Sequence, residues 1–354
     1  MLPIFAFQAF AETAEEQLQH AKAIYDAGEI KQAFQLIRQV AETGDAHAQS
    51  LLGIAMIEGK DIEQDFDEGL RLLKLAAAQD FSGAAYNLAQ VYRWGLLGKA
   101  DYQEAIQWYQ QAADLGDTKS IYNLALMYRD GMGTKQDLAR AVELFQKGAS
   151  LGDGNSMHNI GMMHVTGSGV NQDFSEAITW LNKAIDAGVT YAHWDLGLMY
   201  MKGYGVNQDM HQAFASFKQV AEAGFAPAQG QLGTMYYNGT GTQQNFKEAF
   251  KWSKIAAEKG MPEAQYNLGK MYAEGKGTLK SDSLAYGWAY IASLNKIEPA
   301  VDYIKFIDKA VADGKLPKDF ISDGKQMARN LINEHGLEVQ VPEPSLFEKM
   351  KRLF

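Results

Sequence analysis

Hydrophobic and small residues recur along the chain with a helical spacing, in two alternating patterns. In the first pattern a small residue such as Ala192 precedes an aliphatic–small pair such as Leu196-Gly197, and an aromatic residue such as Tyr200 follows. Spacings of three to four residues place these positions on one face of an α-helix. A glycine such as Gly203 comes three residues later and suits the left-handed backbone that ends a helix. The pattern therefore predicts an amphipathic helix closed by glycine.

The second pattern begins at a polar residue that suits a helix N-cap. These residues are Asp65, Asp101, Asp137, Asp173, Asp209, Asn245 and Ser281. In five copies a Glu or Gln follows three residues later, at Glu68, Glu104, Glu176, Gln212 and Glu248. This spacing predicts a capping box, in which each side chain satisfies a free amide of the first turn. An alanine comes next in six copies, and its small size is expected to let the two helices approach closely.

Together the two patterns form a unit that repeats every 36 residues. The units start at Ala46, Ser82, Thr118, Gly154, Thr190, Ala226 and Pro262. Inside each unit a loop joins the two helices, and five loops open with Gly-x-Gly, at Gly131, Gly167, Gly203, Gly239 and Gly275. A fixed period of this length is typical of a solenoid built from stacked helix pairs.

The recurring set A-x-x-x-L-G-x-x-Y-x-x-G-x-G-x-x-x-D-x-x-x-A reads AHWDLGLMYMKGYGVNQDMHQA from Ala192 to Ala213. It resembles the Sel-one-like repeat (SLR) family, a relative of the tetratricopeptide repeats with a longer loop inside each hairpin. The resemblance covers residues 46–296. It implies an all-α fold, a right-handed superhelical solenoid of antiparallel helix pairs, whose first helices line the concave face.

The flanking segments depart from the repeat. Residues 12–45 keep the second-helix pattern after a shorter loop, as in an ordinary tetratricopeptide hairpin. Residues 297–336 lose the pattern but stay amphipathic, and we expect a C-terminal cap because an end repeat has an exposed apolar face. The tail, 337–354, contains a short amphipathic helix in SLFEKMKRLF, which either covers the last repeat or docks in another protein's groove.

The N-terminal run MLPIFAFQAFAE ends its apolar part in an A-x-A pattern at Ala9-Phe10-Ala11. It predicts that residues 1–11 are the remnant of a signal peptide, although a basic start is missing. The alternative is an apolar first helix that packs on the next one. Export would place the protein in a bacterial periplasm or outside the cell, and retention of the run would place it in the cytoplasm. No run approaches the length of a membrane span.

Composition excludes several classes of function. The formal net charge is −10, which argues against nucleic-acid binding because that needs a basic surface. There are no cysteines, which removes disulfides, cysteine nucleophiles and thiolate metal sites. The buried-looking column Met127, Met163, Met199, Met235 and Met271 is interpreted as adaptable core filling rather than a soft-metal surface.

The glycine loops do not predict nucleotide binding. GSGVNQD at 167–173 lacks the Lys-Ser/Thr of a Walker loop, and no strand precedes it. Gly-x-Ser-x-Gly is absent, and the scattered histidines, of which His158, His164 and His193 come closest, do not predict a metal site. We therefore expect no enzyme, cofactor or metal.

Exposed residues that differ between copies are the best candidates for binding. On the first helices these are Tyr86, Asn87, Arg93, Trp94, Tyr122, Asn123, Arg129, His158, Asn159, Trp194, Asp195, Tyr266 and Asn267. Asparagine amides both donate and accept hydrogen bonds, so they suit a peptide backbone, and aromatic residues add apolar contact area. The alternative is that the asparagines and aromatic residues join neighbouring repeats, which their recurrence favours.

The sequence thus predicts a monomeric, non-enzymatic scaffold that is located in the bacterial envelope. It is expected to bind a protein or peptide through its concave face. Two other functions stay open. One is an accessory or enzyme-associated role on cell-wall or polysaccharide material, and the other is a cytoplasmic regulatory adaptor.

Overall fold

A computed structural model describes residues 12–338, which form α-helices and no strands. The chain divides into two compact units, Met1–Asp173 and Phe174–Phe354. The first unit contains α1 (Ala14–Asp26), α2 (Ile30–Glu42), α3 (Ala46–Glu58), α4 (Phe66–Ala77), α5 (Ser82–Trp94), α6 (Tyr102–Asp114), α7 (Thr118–Asp130), α8 (Leu138–Ser150) and α9 (Gly154–Thr166). The second contains α10 (Phe174–Asp186), α11 (Ala192–Lys202), α12 (Met210–Glu222), α13 (Ala226–Asn238), α14 (Phe246–Glu258), α15 (Pro262–Glu274), α16 (Asp282–Leu294), α17 (Glu298–Ala312) and α18 (Phe320–His335).

Within each unit the helices pack as the repeat predicts. A first helix contacts the second helix of its own repeat, and that second helix contacts the first helix of the next. The small residue after each second-helix cap lies in this contact: Ala105, Ala141, Ala177, Ala213, Ala249 and Ala285 are at most 1% exposed. The methionine column is also buried, which confirms its interpretation as core filling.

The first helices end as the sequence predicts. Each of them closes on a glycine in the left-handed conformation, with φ between 62° at Gly59 and 73° at Gly203. A glutamine in the loop then reaches back over the helix end. Gln172 donates through Nε2 to the carbonyl of Val165 at 2.9 Å, and Gln136 does the same to Arg129 at 2.8 Å. The side chain satisfies a carbonyl that a helix end would otherwise leave unpaired.

Four of the predicted capping boxes, at Asp65, Asp101, Asp209 and Asn245, form only in half. The Asp65 side chain accepts from the amide of Glu68 at 3.0 Å, and the Asp101 side chain accepts from that of Glu104 at 3.1 Å. The reciprocal bond is absent at these caps because the cap's own N–H donates elsewhere. It donates to a carbonyl in the last turn of the first helix, at 3.0 Å from Asp65 to Met56. The complete box occurs at Thr13 and Glu16, before α1.

The second glycine of each loop makes a close contact between repeats. Gly169 has φ of 75°, and an added Cβ would lie 2.8 Å from the carbonyl oxygen of Leu138, the first residue of α8. Gly133 stands in the same relation to Tyr102, the first residue of α6. The second glycine therefore both turns the chain and seats the loop on the preceding repeat.

Two other segments flank the seven repeats. At the N-terminus α1 and α2 pack together and α2 contacts α3, and the Tyr25 hydroxyl donates to Asp61 at 2.7 Å. At the C-terminus α17 and α18 both pack on α16, where Leu331 and Leu337 join the buried cluster around Trp288. The signal-peptide prediction for 1–11, and the tail helix predicted beyond Glu338, lie outside the described residues.

Replacing Gly169 by alanine tests the contact between repeats. Both Gly169 and Gly152 have positive φ, but nothing lies within 4 Å of a Cβ added at Gly152. Each substitution should cost about 1 kcal/mol for the left-handed backbone. Gly169→Ala should cost roughly 1–3 kcal/mol more, because its methyl group overpacks the carbonyl of Leu138. Urea unfolding followed by circular dichroism measures both, and equal losses would refute a packing role for the second glycine.

Candidate protein-binding surface

Three aromatic residues of the predicted surface pack against rings of the second helices. Tyr86 packs on Tyr109 with ring centroids 6.2 Å apart, and Tyr122 packs on Phe145 at 5.9 Å. Trp194 contacts two rings: its centroid lies 5.2 Å from that of Phe217, and it makes a further edge contact with Phe225 at 5.4 Å. All three are half-buried, so their rings close the interface between the helices of a repeat and leave only part of each surface to solvent.

The asparagines form bonds between successive first helices. Asn87 donates to the Ser50 hydroxyl at 3.1 Å, and Asn267 donates to the Thr234 hydroxyl at 3.2 Å. Their side chains therefore join neighbouring repeats, which is one of the two roles that the sequence allowed.

The two arginines are part of the same row. Arg93 donates to Oδ1 of Asn123 at 2.7 Å, and Arg129 donates to Oδ1 of Asn159 at 2.8 Å. Each asparagine also donates through Nδ2 to a carbonyl four residues earlier in its own helix. The amide oxygens thus hold the guanidinium groups in place, and one N–H of each amide is left for other contacts.

The two arginines differ in charge balance. Arg129 forms two hydrogen bonds with the carboxylate of Asp130, at 2.7 and 2.9 Å, and these hold the pKa of Arg129 above its usual value. No described carboxylate lies within ion-pair distance of Arg93. Its charge is the less compensated of the two, and its guanidinium lies 5.1 Å from the ring centre of Trp94.

Trp94 is the most exposed tryptophan in the predicted row, with 66% of its surface in solvent. Its indole N–H donates to Oε1 of Gln90 at 3.1 Å. Gln90 also accepts from the Tyr109 hydroxyl at 2.8 Å and donates to the Tyr86 hydroxyl. This glutamine therefore fixes the side chains of Tyr86 and Trp94 on α5 and of Tyr109 on the neighbouring α6.

The sequence contained a signal for Gln90 that was missed. The same register position is apolar in four other copies and polar in two, which carry Ile54, Leu126, Met162, Leu198, Thr234 and Lys270 in chain order. An amide with two donors and two acceptors in a mostly apolar column indicates a local hydrogen-bond network.

The remaining predicted residues are placed as follows. His158 and Asp195 are half-buried, on α9 and α11, and both have interaction partners. Tyr266 is half-buried on α15 and lies near enough to Tyr303 to act on it electrostatically. Burial chiefly raises the pKa of Tyr303, and the charge of Asp282 and the nearby Tyr266 add to that effect.

Within residues 12–338, no cluster of three or more His, Asp or Glu side chains could hold a metal ion. His164 occupies the aromatic column with its Nδ1 buried and unpaired, and its backbone carbonyl accepts from Asp173 at 3.0 Å. None of the described helices is both long enough and apolar enough to cross a bilayer.

A family comparison assigns the repeats directly. The Sel1 repeat model matches residues 46–81, 82–117, 118–153, 154–189, 190–225, 226–261 and 262–296. The chain belongs to the Sel1 repeat family. The seven matches begin where the sequence pattern places the units, which confirms the resemblance and the all-α repeat fold. No curated protein matches this Sel1 repeat protein in a sequence comparison.

A solved structure of a Sel1 repeat protein gives the same fold. A Sel1 repeat protein from Oxalobacter formigenes is 25% identical, with 86% of this chain and 97% of that chain covered and a TM-score of 0.67. A protective antigen with an SLR fold from uropathogenic Escherichia coli is 22% identical, with 94% and 88% covered and a TM-score of 0.44. A Sel1 repeat scaffold of this kind suits protein interaction rather than one particular chemistry.

Replacing Asn123 by alanine distinguishes the two roles of the asparagine row. Asn123→Ala removes the acceptor of Arg93 and should lower the free energy of unfolding of this Sel1 repeat protein by about 1 kcal/mol. Gln107→Ala, an exposed change on α6, is the control and should leave stability unchanged. Thermal and urea denaturation give the comparison. Unchanged stability at Asn123 would contradict the structural role and favour ligand binding.

Proposed function

We propose that this protein is a non-enzymatic scaffold that binds a protein or peptide through the exposed faces of its first helices. One observation carries the proposal. Trp94 presents a large aromatic surface to solvent, yet Gln90 and Arg93 fix its orientation. A pre-ordered aromatic side chain loses little entropy on binding, and tryptophan and arginine are the residues most often found at binding hot spots.

Trp94 is not explained by stacking of the repeats. The same position carries Asp130, Thr166, Lys202, Asn238 and Glu274 in other copies. A residue that every repeat needs for packing would recur, whereas the exposed ring at 94 does not. We infer that it serves a contact made by this repeat alone.

The charge of the first helices also supports a protein ligand. The first helices of the seven repeats carry five acidic and five basic residues, so the net charge of −10 lies elsewhere on the chain. A peptide therefore meets little long-range repulsion on this face. Next to Trp94, the charge of Arg93 favours a ligand that places an acidic group beside an apolar side chain.

Substitution of Trp94 tests the proposal. Trp94→Ala should weaken capture of the partner about thirtyfold, as expected for a hot-spot residue worth about 2 kcal/mol. Folding should be unaffected because the ring is mostly exposed. Tyr102→Ala, which removes another exposed ring from the second helix α6, is the matched control. Crosslinked pull-down from the native organism identifies the partner, and titration with the purified partner gives the affinities. Equal affinities of Trp94→Ala and the unchanged protein would refute the role of this surface.

We further propose that the protein acts in the bacterial envelope, on the strength of the apolar run and A-x-A pattern at residues 1–11. N-terminal sequencing of the mature protein from a fractionated native organism tests this. A start at or near Glu12 in the periplasmic fraction is expected, and an intact Met1 in the cytoplasmic fraction would contradict it.

A further inference from the structure

A cavity of about 170 Å³ with both polar and apolar walls lies between α13, α14 and α15 in the second unit. Its walls include Thr234, Tyr237 and Asn238 from α13, Ser253 from α14, and Asn267 and Lys270 from α15. The cavity thus lies between two successive first helices and reaches down to the second helix beneath them.

The cavity exists because one repeat lacks the bulky side chains that fill the same place elsewhere. The position of Ser253 carries Tyr109, Phe145, Leu181 and Phe217 in the four preceding repeats, all fully buried. The position of Gly230 carries Tyr86, Tyr122, His158 and Trp194. Gly230 itself faces Ala256 and Ala264 and is not one of the residues that line the cavity. Ring pairs such as Trp194–Phe217 close the interface in three of those four copies. The repeat 226–261 has neither member of the pair.

The groups around the cavity can donate hydrogen bonds to a ligand. Ser253 is only 2% exposed, and its hydroxyl has no hydrogen-bond partner among the described residues. The Ser253 hydroxyl borders the cavity, so water or a ligand there can bond it. Asn267 and Thr234 bond to each other, which leaves Oδ1 and one N–H of Asn267 available.

Lys270 supplies a positive charge at the rim. It is exposed, its ammonium group lies 5.1 Å from the ring centre of Tyr237, and no described carboxylate is within ion-pair distance. Glu274 is nearby but is bound by Lys276 at 2.9 Å and by the Tyr237 hydroxyl at 2.6 Å. Partial burial acts to raise the pKa of Glu274, but these two hydrogen bonds and the charges of Lys276 and Lys270 together hold the pKa below its usual value. Together Lys270, Glu274 and Lys276 leave one positive charge beside the cavity.

We propose that this cavity binds the carboxylate of a peptide ligand. The inference deepens the proposed function, because the cavity opens between the same first helices that we propose as the binding face. Lys270 pairs with the carboxylate, and the Ser253 hydroxyl and the free N–H of Asn267 donate to its oxygens. A volume of about 170 Å³ holds a carboxylate with several water molecules, at roughly 30 Å³ for each water.

Small probes test the site without the unidentified partner. N-acetylglycine presents a terminal carboxylate. N-acetylglutamine presents a terminal carboxylate next to an uncharged amide side chain. N-acetylglutamic acid α-amide presents only a side-chain carboxylate. N-acetylglycinamide is the uncharged control. Saturation-transfer NMR and thermal shift should show binding of N-acetylglycine with a dissociation constant on the order of 1 mM, as expected for so small a ligand. Comparison with the glutamic acid amide tells whether a chain end or a side chain is the preferred source of the carboxylate. No preference for either acid over N-acetylglycinamide would overturn the proposal.

Two substitutions locate the binding. Lys270→Met removes the charge from an exposed side chain and should weaken N-acetylglycine binding about tenfold or more. Ser253→Phe restores the residue found at Phe145 and Phe217, fills the cavity above Gly233, and should abolish binding while raising the melting temperature. Lys254→Met, an exposed lysine of α14, is the control and should bind normally. Undiminished binding in Lys270→Met and Ser253→Phe would place the probe elsewhere and overturn the proposal.

These results are separable from the proposed function. Loss of partner capture in Trp94→Ala with no probe binding would leave the scaffold proposal standing and remove the carboxylate site. Probe binding that needs Lys270 and Ser253, with no effect of Trp94→Ala on the partner, would leave the carboxylate site standing and remove the role of Trp94.

Discussion

The unpaired backbone groups at helix ends are the constraint on which the rest of this structure depends. Every helix leaves amides free at its start and carbonyls free at its end, and a stack of short helices has many of both. The 36-residue unit answers this with recurring bonds. The cap residue's N–H bonds the end of the first helix, as from Asp137 to Tyr128 at 2.9 Å, and the loop glutamine covers another carbonyl there. The spacing of aromatic residue, glycine, glutamine and cap follows from these bonds.

The same constraint explains why variation between copies is not always functional. A carbonyl near the end of each second helix needs a donor from the next repeat. Gln49, Gln229 and Gln265 of the first helices donate to Ala41, Ala221 and Ala257. Where the first helix has an apolar residue instead, as at Ala85 and Ile121, a second-helix side chain takes over: Gln111 bonds Ala77 at 3.0 Å and Lys147 bonds Ala113 at 2.9 Å. Two different side chains thus satisfy the same carbonyl in different repeats. Only variable residues that have no such structural role indicate a ligand.

Periodicity made the fold predictable, because each copy repeats the evidence for the same helix boundaries. Helix ends, buried alanines and methionines follow from local pattern and spacing. Contacts between repeats are harder to predict from sequence, because they depend on which of several possible partners lies nearer. The asparagine row allowed two roles, and only the geometry shows that Asn123 accepts a hydrogen bond from Arg93. The capping box was wrong for the same reason, because the amide of Asp65 had a second acceptor, the carbonyl of Met56, that its sequence neighbourhood does not reveal. Gln90 was missed because a polar residue in a mostly apolar column is visible only when the copies are aligned.

Departure from the repeat is informative when it removes packing and adds polar groups together. Exchange of one buried aromatic residue for a small one leaves a cavity and costs several kcal/mol. A repeat that has drifted would be expected to lose one member of a ring pair and keep its apolar surroundings. At 226–261 both members are small, and the space is bordered by Ser253, Asn267 and Lys270 as well as by Tyr237 and Met271. Polar groups rarely line an empty site, because such a space binds water or a ligand that forms hydrogen bonds with them. Their presence around this space is better explained by a ligand that they bind than by a packing defect they happen to surround.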